Sequence, residues 1–139
     1  MIRGKLLLCA EGVSIDVRSN NVTIFNIIEQ INLRYLPAVF PKMVIYGAFE
    51  RDDGDPETFD GELHIRLEGI EVAGAPVPVE FQGKKATRSI ITLGGLPIMQ
   101  PGKMEISIYE KGKEIKVLSY SIEVTVPKKP EVEQSAQSE

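Results

Sequence analysis

Apolar and polar side chains take turns along two neighbouring stretches of this chain, and few folds accommodate that pattern. Met104, Ile106 and Ile108 alternate with Glu105, Ser107 and Tyr109. Leu118, Tyr120, Ile122, Val124 and Val126 alternate with Ser119, Ser121, Glu123 and Thr125. A period of two gives each strand one wet face and one buried face. With Lys111-Gly112-Lys113 as a tight turn between them, Pro101 to Val126 reads as a hairpin. A lone hairpin cannot hide its apolar face, so the rest of the chain has to supply a second layer.

Upstream the same logic yields a series of short strands. Leu6 to Ala10 reads as a strand covered on both faces, continued by Val13, Ile15 and Val17 to the turn-forming Arg18-Ser19-Asn20-Asn21. Val22 to Leu33 supports two readings. Ile24, Ile27, Ile28 and Ile31 have helical spacing, but the β-branched content and the hairpin distance from the first strand favour a strand, with a short helix as the alternative. Pro37 and Pro41 bracket Ala38-Val39-Phe40, forbid regular ladder pairing there and mark a crossing between sheets. A strand resumes from Met43 to Phe49.

Arg51 to Gly61 reads as an acidic loop. Glu62 to Glu68 is a strand with Leu63, Ile65 and Leu67 inward and His64 on the solvent face, and Gly69 to Pro76 is a connection. Val77 to Phe81 can be a strand only at an edge, because Pro78 interrupts the row of donors. Gln82 to Arg88 is a basic loop, Ser89 to Leu93 a short strand, and Gly94 to Pro97 a turn. The expected fold is all-β: a two-layer antiparallel β-sandwich of seven or eight strands, immunoglobulin-like or C2-like. It occupies residues 1–126, and residues 127–139 form a disordered tail. The missing Cys and Trp pair argues against a true antibody-type domain.

A chain of 139 residues is long enough for one domain with its own core. Cys9, the single cysteine, has no internal partner and reads as a buried, inert thiol. The apolar run before Glu11 is shorter than a secretion signal requires, and no stretch approaches the roughly 18 apolar residues of a membrane span. A cytoplasmic, soluble protein is expected. The net charge is -4, Lys and Arg form no stripe, and aromatics are 6% with no Trp. Nucleic-acid binding is therefore disfavoured.

Two groups of residues stand out as candidate sites. Asp52, Asp53, Asp55, Glu57 and Asp60 are hard oxygen ligands of the kind Ca²⁺ takes, although their spacing departs from a helical calcium loop. The basic segment Gly83 to Arg88 is a possible electrostatic partner for them. Leu36, Val39, Phe40 and Pro78 are the candidate exposed apolar surface for a protein partner of unknown identity. No catalytic constellation is visible, since His64 is the only histidine, and no cofactor is implied. The expected function is a non-enzymatic protein-interaction or structural module. The alternative is a ligand- or Ca²⁺-binding C2-like domain acting through Asp52 to Asp60.

One further pattern concerns the whole chain. Leu6-Leu7-Leu8-Cys9-Ala10 is followed by Asp16, by Thr23-Ile24-Phe25-Asn26-Ile27-Ile28, and by Phe40-Pro41 leading into Met43-Val44-Ile45. Leu96-Pro97, Pro101-Gly102 and the terminal hairpin complete it. From about Lys5 to Val126 the chain resembles a family of small bacterial all-β proteins catalogued as a domain of unknown function. The resemblance implies a sandwich fold and implies no activity.

Overall fold

Alternation along the chain is realised as strands within residues 1–127, the residues that the computed structural model describes. They are β1 (Arg3–Ile15), β2 (Val22–Ile27), β3 (Gln30–Asn32), β4 (Ala38–Glu50), β5 (Thr58–Leu67), β6 (Ile70–Glu80), β7 (Ala86–Ile98), β8 (Gly102–Glu110) and β9 (Lys116–Thr125). One sheet has the order β2-β1-β4-β7 and the other β3-β9-β8-β5-β6. Every pairing is antiparallel except β3 with β9, where Gln30, Ile31 and Asn32 run parallel to Glu123, Val124 and Thr125. The expected tail from residue 128 onward lies outside the described residues.

The core lies between the two sheets. Leu7, Cys9, Met43, Ile45 and Phe49 project from the four-stranded layer against Leu63, Ile65, Met104, Ile106, Ile108 and Ile122 of the five-stranded layer, all of them buried. Each such side chain contributes about 1.5–3 kcal/mol on leaving water. Cys9 is 0% exposed, and burial pushes its thiol up to about 12. Iodoacetamide at pH 8 is expected to leave it unmodified in the folded protein and to alkylate it in urea. Labelling of the native chain within minutes would place Cys9 in solvent.

Several boundaries differ from the sequence-based expectation, each for a physical reason. Val22 to Leu33 is extended rather than helical, but it is two strands in two different sheets. Ile27 pairs with Ala10 in one layer and Gln30 with Glu123 in the other. The crossing is fixed to both layers at Ile28, whose N–H donates to the Cys9 carbonyl at 2.7 Å and whose carbonyl accepts from the Tyr120 hydroxyl at 2.8 Å. Leu6 to Ala10 is not covered on both faces by a second layer: Leu7 and Cys9 point into the core, and Leu6 remains exposed on the other face. The turn between β1 and β2 reaches that outer face, where Arg88 donates to the Asn20 carbonyl and side-chain oxygens at 2.9 and 2.7 Å.

Prolines and glycines interrupt the ladders less than expected. Ala38-Val39-Phe40 does pair, with Ile98, Pro97 and Leu96. Pairing of β4 with β1 extends only to Val44, so the prolines at 41 and 97 lie where β4 and β7 have open edges. Gly94-Gly95 is not a turn but part of β7, and Gly95 adopts φ 68°. Both strands change facing there. Met43, Leu93 and Ile91 face the core on one side of the kink, while Phe40, Leu96 and Ile98 face it on the other. Gly69 to Pro76 is likewise strand rather than connection: Glu68 and Gly69, both at positive φ, form a two-residue turn, and β6 runs unbroken from Ile70. As Pro78 requires, β6 is an edge.

Candidate functional site

Carboxylates between β4 and β5 are already engaged by cations of the same molecule. Arg51, whose side chain is largely buried over the Phe81 ring, gathers the loop around itself. Its Nε donates to the Lys84 carbonyl, its Nη1 to the Asp55 carbonyl and its Nη2 to Glu57 Oε1, each at 2.8 Å. Glu57 Oε2 accepts from the Gly83 N–H at 2.7 Å, and Asp53 lies 3.4 Å from Lys85. The acidic and basic loops therefore pair within one molecule. Asp52 accepts from Arg3 at 2.8 Å, and this hydrogen bond holds its carboxyl below the usual range. Asp55 is lowered chiefly by the N-terminal ammonium, 2.6 Å away. Asp60 is not in the loop: it belongs to β5, opposite Pro78. Among the described residues, no three His, Cys, Asp or Glu side chains are grouped so as to hold a metal ion.

His64 is half-buried on the outer face of the five-stranded sheet. Its Nδ1 lies 2.6 Å from Glu71 Oε1, its ring meets Tyr109 edge-on at 5.5 Å, and Arg66 donates to the Tyr109 hydroxyl at 3.0 Å. The carboxylate orients the imidazole as a general base would need. Ser107, its partner across the ladder, is 1% exposed and closed to a substrate. The depression beside His64, about 330 Å³, is lined by Glu62, Gly74, Pro76 and Lys111, and among the described residues no Ser, Thr or Cys lines it.

Lower on the same face, Lys116 donates to Glu105 at 3.0 Å and holds its carboxyl below the ordinary range. A lowered carboxyl stabilises the fold above its unfolded pKa and loses that contribution as pH falls, because the unfolded chain takes up the proton first. Urea midpoints should stay level from neutral pH to about 5 and decline below about 4.5, and Glu105→Gln should flatten that decline. Partial exposure keeps the effect well under 1 kcal/mol.

The remaining candidate site is an apolar cleft at one end of the sandwich. It is a depression of about 610 Å³ bounded by the end of β3, the segment from Arg34 to Pro37, the start of β4, and Pro97 and Met99 after the kink in β7. Tyr35 is 73% exposed, Val39 63% and Met99 67%. The change of facing at Gly95 is what turns Val39 and Pro97 outward while Phe40 and Leu96 fill the core. Among the described residues, Arg34 is the only charged side chain in the lining. Its volume is in the range of sites that hold a small molecule or a peptide anchor.

Of the residues singled out in the sequence, Val39 lines this cleft. Leu36 and Phe40 pack against the core beside it, and Pro78 is far off on the edge strand β6. Tyr35 and Met99 were not singled out, because an apolar residue in a loop carries no periodicity to tell exposure from burial.

A family model described as "Family of unknown function (DUF6941)" matches residues 5–125. No curated protein matches the chain. No helix among the described residues is long and apolar enough to cross a membrane.

Proposed function

Because the chain belongs to DUF6941, a family of unknown function whose membership carries no activity, we propose from the geometry that it is a protein-interaction module. In this reading an immunoglobulin-like or C2-like sandwich presents its end cleft to a segment of a partner protein. The observation that supports it is the concentration of Tyr35, Val39 and Met99 in one concave site, each more than half exposed. Aromatic, Met and Arg side chains are the types enriched at interfaces, and a buried aromatic or Arg anchor carries most of the affinity.

The partner segment has a definable chemistry. An apolar side chain fills the space between Val39, Pro97 and Met99, and a neighbouring carboxylate pairs with Arg34. The test is selection from a displayed random-peptide library on the intact chain. The expected result is an enriched consensus of one large apolar residue flanked by Asp or Glu, bound at least tenfold more weakly by Val39→Asp and Arg34→Glu. Both positions are exposed, so the variants retain the fold. Enrichment of no consensus, or binding indifferent to both substitutions, would overturn the reading.

A further inference from the structure

The basic segment between β6 and β7 divides between two neighbours. Lys85 pairs with Asp53 of the acidic loop, whereas Lys84 and Arg88 line a concavity of about 430 Å³ on the outer face of the four-stranded sheet. Lys5 of β1 joins them there. The alternation that turns Leu7 and Cys9 inward would carry Lys5 toward the core as well. A bulge between Gly4 and Leu6 instead leaves Lys5 without a partner in the ladder and places it on the outer face, where Leu6 stands opposite Ala48 and Ala48 opposite Arg88.

These cations lack counter-ions. Arg88 is half-buried, yet its Nη2 donates only to neutral oxygens, the carbonyl and side-chain oxygens of Asn20. Among the described residues, no carboxylate lies at ion-pair distance from Lys5, Lys84 or Arg88; Glu50, at the end of β4, is held by Arg3 at 3.2 Å. Glu80 is the one carboxylate among the described residues of the lining, which leaves two positive charges in excess. The backbone of Lys84 is already fixed: its N–H donates to the Phe81 carbonyl at 3.0 Å and its carbonyl accepts from Arg51 at 2.8 Å. A ligand would not have to order that turn.

We propose that this concavity binds a small phosphomonoester, its phosphate held by Arg88, Lys84 and Lys5 and its organic group laid against Tyr46 and Ala48. A phosphomonoester carries a charge of about -1.5 to -2 at neutral pH, which matches the excess, whereas a carboxylate supplies half of it. A guanidinium fork and ammonium groups are the donors that phosphate takes. The volume suits a small molecule, and one closed concavity is not the stripe that a nucleic-acid backbone needs. The site is separate from the end cleft, since β7 begins at the one and ends at the other.

The experiment titrates the nitrogen-15-labelled full chain with phenyl phosphate, inorganic phosphate and benzoate, following amide resonances by NMR. Phenyl phosphate should give saturable shifts centred on residues 46–48 and 84–88, about fivefold or more tighter than inorganic phosphate, and benzoate should not saturate. Arg88→Lys, which keeps the charge and loses the fork, should weaken binding about tenfold. Lys5→Gln and Lys84→Gln, both at exposed positions, should each weaken it about threefold or more. Lys85→Gln removes the same charge from the pair with Asp53 and should leave binding unchanged, as should Val39→Asp in the end cleft. Shifts that do not saturate with phenyl phosphate, benzoate binding as tightly as phenyl phosphate, or equal weakening by Lys84→Gln and Lys85→Gln would overturn the proposal.

Discussion

Gly4→Ala is expected to destabilise the protein by about 3 kcal/mol, seen as a fall in the urea midpoint without a change in slope. A Cβ at this position would stand 2.3 Å from Leu118 Cγ and 2.6 Å from the Val117 carbonyl oxygen. The leucine could rotate, but the carbonyl belongs to the backbone of β9 and cannot. Here β1 and β9 close one side of the sandwich, and Gly4 sits at an irregularity in the β1–β4 ladder between Gly4 and Leu6. Gly12→Ala is the internal control. Its Cβ would meet Phe25 at 3.6 Å, an ordinary contact, and the change should be neutral to slightly stabilising. Equal losses from both substitutions would mean that the β1–β9 approach is looser than described.

Gly102→Ala should be nearly as damaging, costing about 2–4 kcal/mol through backbone strain and a lost hydrogen bond. Gly102 has φ 136°, a region in practice open only to glycine, and an added Cβ would lie 2.5 Å from Glu68 Cγ. Glu68 is not free to leave without consequence, since its Oε2 accepts from the Lys103 N–H at 2.7 Å while its own N–H donates to the Lys103 carbonyl at 3.0 Å. These bonds tie the β5–β6 turn to the start of β8. Combined with Glu68→Ala, the glycine substitution should cost less than the sum of the two single changes, because the clash has then been removed. Strict additivity in thermal unfolding would show that strain alone is responsible.

Where side chains alternate without interruption, the sequence was a sufficient guide. The pairing of β8 with β9 and the inward set Leu63, Ile65 and Leu67 stand where periodicity puts them, although Ser107, expected on the wet face, is 1% exposed. Errors concentrate at Gly and Pro. Gly74, Pro76, Gly94, Gly95 and Pro97 were read as breaks in strands, yet all lie within strands that have an open edge, where a missing donor leaves no partner unsatisfied. The dipeptide Glu68-Gly69 between two alternating stretches was the overlooked hairpin signal. Pairing of β3 with β9 joins residues more than ninety positions apart, as in the Thr125–Asn32 contact, and no local pattern encodes it. Of the cleft, Val39 was named among the candidate exposed apolar residues, and it is 63% exposed. Tyr35 and Met99 were brought to it only by the fold.

The three-residue β3 ladder also has a kinetic consequence. It is the shortest strand and the edge of its sheet, closed only by distant contacts, so its amides should exchange with deuterium far faster than those of β5 or β8, through opening that leaves the sandwich intact. Since Asn32 and Leu33 also line the end cleft, that cleft is expected to open on its own timescale. Association there would be gated by the fraying of a single short strand rather than by diffusion alone.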